Sequence, residues 1–167
     1  MDAVVNVTED WGIGLENRLL VSISADLRRF RKLTEGKTVI MGRKTLESLP
    51  HSRPLPLRRN LILSRDPNYR VESAEVFPSV SALLEAIKEL PPEEVCLIGG
   101  ASLYAALLPY CRRAFVTKTL CTLSADRFFP NLDELPNWEI MSESAVMEEN
   151  GVRFRYADYL NREPRAF

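Results

Sequence analysis

Three short segments of this 167-residue chain set glycines, cations or hydroxyls directly behind apolar runs. In VIMGRKT, residues 39–45, Gly42 is followed by Arg43, Lys44 and Thr45, where a helix could start. Backbone amides at a helix start, joined by two cations, can hold a phosphate, and a guanidinium matches the planar spacing of phosphate oxygens. In LIGGAS, residues 97–102, Gly99 and Gly100 separate an apolar run from Ala101, Ser102 and Leu103, which lets backbone approach a pyrophosphate closely. In LSRD, residues 63–66, Leu63 is followed by a hydroxyl and a cation, Ser64 and Arg65. Placed beside Arg43, these two would bind a ribose 2′-phosphate and select NADPH over NADH. Each segment alone also fits a plain turn, and the diglycine is not a full Gly-x-Gly-x-x-Gly fingerprint. Three such turns after three separate strands point together to a phosphate-bearing ligand.

Asp26 is the remaining residue with chemical promise. It sits near the start of an amphipathic stretch, one residue before Leu27 and four before Phe30. A carboxylate aimed into an apolar cleft can grip an N–C–NH₂ edge through two parallel hydrogen bonds, and desolvation would raise its pKa. The same residue could simply complement the helix dipole in a first turn. Histidine chemistry is excluded more firmly, since His51, the one histidine, lies in the Pro-rich turn PHSRPLP. Cys96, Cys111 and Cys121 form no Cys-x-x-Cys pair, so neither a disulfide framework nor a zinc site is expected, and no metal is implied.

The elements that must position these groups follow from the apolar pattern. Short runs at 3–7, 38–41, 60–63 and 95–98 predict buried strands. Longer alternating segments at 113–121, 138–145 and 152–159 predict further strands, punctuated by Pro136-Asn137 and Asn150-Gly151. Between them, Ser24 is expected to cap a helix with Leu27, Phe30 and Leu33 on its apolar side and Arg28, Arg29, Arg31 and Lys32 toward water. A second helix starts at Ser79 or Ser81 and runs to Leu90, before Pro91 and Pro92; a third starts at Gly100 and ends before Pro109. Helical crossovers imply an α/β protein with a largely parallel sheet, whose ligands gather at the carboxyl ends of the strands.

Composition narrows the partner. A net charge of -1 with no long basic block supplies no footprint for nucleic acid or an anionic membrane. No apolar run reaches spanning length and the amino terminus lacks a signal-peptide pattern, so a single cytoplasmic domain over residues 1–167 is expected.

Taken in order, the motifs WGIGLEN at 11–17, SADLRRFRKLT at 24–34, VIMGRKTLESLP at 39–50, PLPLRRNLILS at 54–64, LIGGASLY at 97–104, VTK at 116–118 and DRFFP at 126–130 resemble the dihydrofolate reductase family. The resemblance implies a mixed, mostly parallel eight-stranded sheet with an antiparallel C-terminal edge and about four flanking helices. It implies hydride transfer from NADPH to pterin C6 of dihydrofolate, with protonation at N5, and so a supply of tetrahydrofolate for one-carbon metabolism. By that resemblance Asp26 binds the 2-amino and N3 edge of the pterin and Thr117 completes its hydrogen-bond network. Leu27, Phe30, Leu49 and Ile98 form apolar walls, with Val4 and Val5 at the base of the ring, and Arg58 pairs with the glutamate-tail carboxylate. Gly42, Arg43, Lys44 and Thr45 match the cofactor phosphate loop, Leu63, Ser64 and Arg65 the 2′-phosphate side, and Ile98 with Gly99 to Leu103 the pyrophosphate turn. Ile13, Gly14 and Leu19 match the lid beside the nicotinamide, and Asn6 lies where the carboxamide is expected. Antifolate inhibitors and a monomeric state are implied as well.

The chain departs from the family pattern at several positions. Leu19-Leu20-Val21 stands where the family usually has Leu-Pro-Trp, so the lid tryptophan is missing. Asn6 replaces a small alanine, Leu46 a frequent tryptophan, and Ser102 supplies no cation. A related pterin or pyrimidine reductase, or a folate- and NADPH-binding protein of weak activity, are the alternatives these departures leave open.

Overall fold

The computed structural model describes every residue except 16, 17, 20 and 21, and residues 18 and 19 only in their backbone. The expected buried runs all become strands: β1 (Asp2–Val7), β4 (Thr38–Gly42), β5 (Arg59–Leu63) and β7 (Val95–Gly99). They are joined by β6 (Glu75–Phe77), β8 (Arg113–Thr119), β10 (Trp138–Glu143), β11 (Met147–Glu149) and β12 (Val152–Asn161). The sheet order is β10-β12-β8-β1-β7-β4-β5-β6. β8, β1, β7, β4, β5 and β6 pair in parallel, while β12 runs antiparallel to β8 and β10 antiparallel to β12. The expected mixed sheet with an antiparallel edge is therefore present, with β11 added on β12 as a ninth strand. The Asn150-Gly151 turn between them takes positive φ at both positions, 50° and 79°, as a tight hairpin requires.

Among the described residues four α-helices flank the sheet: α1 (Ser24–Thr34), α2 (Arg43–Ser48), α3 (Val80–Ile87) and α4 (Ala101–Leu107). A small second sheet, β3-β2-β9, is built from β2 (Gly12–Leu15), β3 (Arg18–Leu19) and β9 (Arg127–Phe128). These two-to-four-residue strands carry no apolar run long enough to announce themselves in the sequence. Ser79 caps α3 by accepting the amide of Ala82 at 3.1 Å, but the helix ends at Ile87, three residues sooner than Leu90.

Because side chains alternate along a strand, the sheet has two cores. Val5, Val7, Leu97 and Val116 face one cluster with Trp11, Leu103, Tyr104 and Leu107. Val4, Val39, Met41, Ile62 and Cys96 face the other, against which Phe30, Leu33, Leu49, Leu55 and Ile98 pack while only partly buried. The second face is the one that α1 covers.

Two expectations about α1 are corrected. Ser24 is not its cap: Ile23 holds the cap position without a side-chain bond, and Ser24 is the first helical residue. The amides of Ser24 and Ala25 instead donate to the two carboxylate oxygens of Glu149 on β11, at 2.6 and 3.3 Å. A carboxylate brought from 125 residues away does the work of a local serine, satisfying exposed amides and opposing the positive end of the helix dipole. Arg29 does not face water either. Its guanidinium donates to Asp158 at 2.9 Å and lies 3.9 Å over the Tyr156 ring, tying α1 to β12.

The cysteines are structural or peripheral. Cys96 and Cys111 are buried, which pushes their thiols up to about 11 and about 12, so almost none of either is thiolate at neutral pH. Cys121 is only partly buried. In the native protein a thiol-labelling reagent is expected to modify Cys121 first, with Cys96 and Cys111 reacting only after denaturation; peptide mapping after labelling checks the order. Glu149→Ala removes the remote cap and is expected to cost about 1 kcal/mol of stability, read as a lower urea midpoint at unchanged slope.

Candidate active site

All six parallel strands end on the same side of the molecule, so the loops after β1, β4, β5, β7 and β8 share one edge. The segments singled out in the sequence lie on that edge. Gly42 ends β4, Leu63 ends β5 and Gly99 ends β7. Thr45 lies against the diglycine: a Cβ on Gly99 would sit 3.2 Å from Thr45 Oγ1, and one on Gly100 3.4 Å. Gly99 has φ of 134°, which a side-chain-bearing residue rarely adopts, and the Gly99-Gly100 peptide is cis. Below the diglycine the Tyr104 hydroxyl donates to the Val4 carbonyl at 2.6 Å, locking α4 to β1. Burial drives that phenol far above its ordinary range, so it stays a neutral donor.

Three cations of these turns, Arg43, Lys44 and Arg65, are open to solvent. Arg43 bonds Glu47 at 2.8 Å, approaches Asp66 at 3.6 Å and lies 4.6 Å over the Tyr69 ring. It therefore stands beside the 64–66 turn, as the sequence suggested. Exposed pairs of this kind are worth little, so a phosphate could displace them. Lys44 and Arg65 are exposed; Ser64 is buried and its Oγ accepts the Asp66 amide at 3.2 Å. Ala101 is half-buried and Ser102 exposed, while the Leu103 side chain is core, leaving only its backbone for a ligand.

Asp26 lies on the first turn of α1, at the seam where that helix crosses β1 and β8. Thr117 Oγ1 donates to Asp26 Oδ1 at 2.5 Å, and Asn6 Nδ2 donates to Asp26 Oδ2 at 3.0 Å. Thr119 in turn donates to Asn6 Oδ1 at 2.8 Å. Asn6 and Thr117 are register partners on adjacent strands, which is why both reach one carboxylate. Tyr156, opposite Thr117 on β12, has its hydroxyl pushed upward first by burial and then by the Asp26 charge, with Arg29 and Arg28 opposing. The expected side chain of Asn6 at a carboxamide is thus found on the carboxylate of Asp26. Thr119 was not anticipated, although the alternation in VTKT already puts it on the same face as Thr117.

Phe30, Leu49 and Ile98 border the half-open cluster under α1, with Val4 beneath them. Leu27 is 54% exposed and so is no core residue; it lines the open side. Val5 is corrected: one residue of alternation turns its side chain to the opposite core, beside Trp11 and Tyr104, and only its backbone reaches this face. Arg58 is half-buried, donating to Thr34 Oγ1 at 3.2 Å and the Pro56 carbonyl at 2.7 Å. Burial lowers its pKa, an effect that nearby Glu35 opposes. Thr34, the last residue of α1, follows Asp26 at a rise of about 12 Å along the helix axis, so the position that holds the guanidinium and the position that carries the carboxylate lie well apart on one helix.

Ile13 is partly buried, and Gly14 pairs through its backbone with Leu19 and Arg127. The Leu19 side chain and positions 20 and 21, where the lid tryptophan is missing, lie outside the described residues. Leu46 is fully buried in the cluster under α1, filling core volume. His51 is exposed in a 3-10 turn, as expected. Among the described residues no cluster of His, Cys, Asp or Glu could hold a metal ion, and no helix is long and apolar enough to cross a membrane.

The geometry is that of an acid and an apolar wall at one end of the sheet edge and a glycine-lined, cation-bordered seam at the other. Comparison with known proteins agrees. The family model for dihydrofolate reductase matches residues 1–161. The dihydrofolate reductase type 3 of Salmonella typhimurium is 41% identical over 132 residues, covering 79% of this chain and 78% of that one. The dihydrofolate reductase of Bacillus subtilis is 40% identical over 149 residues, 88% of this chain and 86% of that one. A solved dihydrofolate reductase from Enterococcus faecalis, complexed with NADP(H) and RAB-propyl, superposes with a TM-score of 0.85 at 28% identity, covering 96% of this chain and 95% of that one. The chain belongs to the dihydrofolate reductase family.

Proposed function

We propose that the protein reduces 7,8-dihydrofolate to 5,6,7,8-tetrahydrofolate with NADPH, acting as a cytoplasmic monomer formed by one domain over residues 1–167. The observation that carries this is the Asp26 carboxylate, held by Thr117 over a half-open apolar face, at the same sheet edge as the Gly99-Gly100 turn. A pterin presents two parallel N–H groups on its 2-amino and N3 edge, and a carboxylate with one acceptor direction free on each oxygen matches them. Val4, Leu27, Phe30, Leu49 and Ile98 then border the flat ring, and the negative charge of Asp26 favours the cation formed by protonation at N5.

Arg58 supplies the second anchor. Its distance from Asp26 along α1 suits a substrate that carries a flat heterocycle at one end and a carboxylate at the other. A ligand bound at both ends has its orientation fixed, which is the main contribution this site makes to rate.

The residues present also fit NADPH. The contact between Thr45 and the diglycine is a cradle that a Cβ would fill, and Arg43, Lys44 and Arg65 border it with positive charge. Gly42 to Thr45 and Gly99 to Leu103 would hold the pyrophosphate, Leu63, Ser64 and Arg65 with Arg43 the 2′-phosphate, and Ile13, Gly14 and Leu19 would border the nicotinamide. The bound cofactor supplies the hydride.

A steady-state assay is expected to show oxidation of NADPH that depends on dihydrofolate, with NADH a poorer donor; absence of turnover under these conditions removes the proposal. Asp26→Asn is expected to lower kcat/KM by at least about a hundredfold without loss of the folded state, and near-normal activity would take Asp26 out of the reaction. A pterin without the glutamate tail should turn over less well, and equal turnover would remove Arg58 from the site. Gly99→Ala is expected to weaken NADPH binding by about tenfold or more, because the added methyl meets Thr45 and the backbone must leave its positive φ; equilibrium titration of the cofactor measures it.

A further inference from the structure

We propose that Asn6, oriented by Thr119, is a positioning residue on the substrate side of the site: it fixes the carboxylate of Asp26 for the pterin edge and does not serve the cofactor through its side chain. This rests on the dihydrofolate reductase reading above.

The orientation of the amide follows from what each neighbour is able to do. A carboxylate only accepts, so the NH₂ of Asn6 must face Asp26 Oδ2, at 3.0 Å. Its carbonyl oxygen is then left to Thr119, whose hydroxyl donates at 2.8 Å. Thr119 is fully buried on β8, so this donor has a fixed place and little alternative. The two oxygens of Asp26 receive separate donors from adjacent strands, Thr117 from β8 on one and Asn6 from β1 on the other. One donor would leave the carboxylate free to rotate about its terminal bond. Two donors on opposite oxygens fix its plane and leave one acceptor direction on each oxygen for a ligand bringing paired N–H groups.

Alternation along β1 makes this a property of position 6. Val4 and Asn6 share the face under α1, while Val5 and Val7 belong to the opposite core. A small apolar residue at position 6 would offer no donor, so the second bond to Asp26 is specific to an asparagine here. Thr119 matters only through Asn6, which makes the pair separable by experiment.

Steady-state kinetics on Asn6→Leu, Thr119→Val and the double variant, with each substrate varied in turn, tests the inference. Asn6→Leu keeps similar volume and removes the donor, and is expected to lower kcat/KM for dihydrofolate by about tenfold or more while the KM for NADPH stays within about twofold. Thr119→Val, an isosteric change, is expected to give a smaller loss in the same direction, and to add nothing in the Asn6→Leu background. The single Thr119 variant keeps the test decisive if Asn6→Leu fails to fold. An unchanged kcat/KM for dihydrofolate, a rise confined to the NADPH KM, or equal costs of Thr119→Val in both backgrounds would overturn the inference while leaving an active parent enzyme. A parent protein with no dihydrofolate-dependent turnover would instead overturn the reading on which it rests.

Discussion

The structure turns on holding one carboxylate at an apolar seam. Removing Asp26 from bulk water costs free energy unless its oxygens find donors, and an open cleft cannot bring those donors from the helix that carries it. They come from β1 and β8, the two strands that α1 crosses, through Asn6 and Thr117. Much of the surrounding fold keeps that crossing in place. Arg29 ties the helix to Asp158 and Tyr156 on β12, and Glu149 closes its amino end from β11. The antiparallel edge of the sheet is thus more than a cover for the core: it fixes the helix on which the acid sits.

The parallel half of the sheet solves a different problem. Its strands must bring backbone close to a ligand, and the diglycine does this where β7 meets the loop after β4. Tyr104 links the two halves, since its ring lies under Gly99 while its hydroxyl reaches the Val4 carbonyl. A displacement of the diglycine would therefore be felt on β1, two residues from Asn6. Acid and glycine seam are parts of one packed unit, in which neither can shift far without disturbing the other.

What could be read from the sequence follows the range of the interactions involved. The buried strands were legible because β-branched runs bounded by turn residues have few other uses, and the helices because Leu27, Phe30 and Leu33 recur at helical spacing. The Gly-Arg-Lys and Gly-Gly turns were legible for the same local reason. Strands of two to four residues, such as Gly12–Leu15 and Arg127–Phe128, were not, since they are too short to show a period and the pairing between these two joins segments far apart in the chain. The cap of α1 failed in the same way: Ser24 is a good local cap, and a carboxylate from residue 149 outcompeted it. Val5 was misplaced for a simpler reason, since two-residue alternation already separates it from Val4 and Asn6. Applying that parity puts Thr117 with Thr119, and Val4 with Asn6, from the sequence alone; that the two pairs share one face is fixed by the register of β1 on β8.

The alternation also shows why the substitution at position 6 is compatible with the fold. An asparagine placed at the end of a buried strand brings four hydrogen-bonding sites where an alanine brings none, and unmet ones are costly. Here the carboxylate takes one, and a buried threonine two residues beyond the register partner takes another. Replacing the asparagine therefore exposes a requirement in its neighbours: Asp26 loses a donor and Thr119 loses its acceptor in a place that water does not easily reach. The polar cluster is coherent only as a whole, and its outermost member, Asp26, is the one turned toward the open side of the apolar wall.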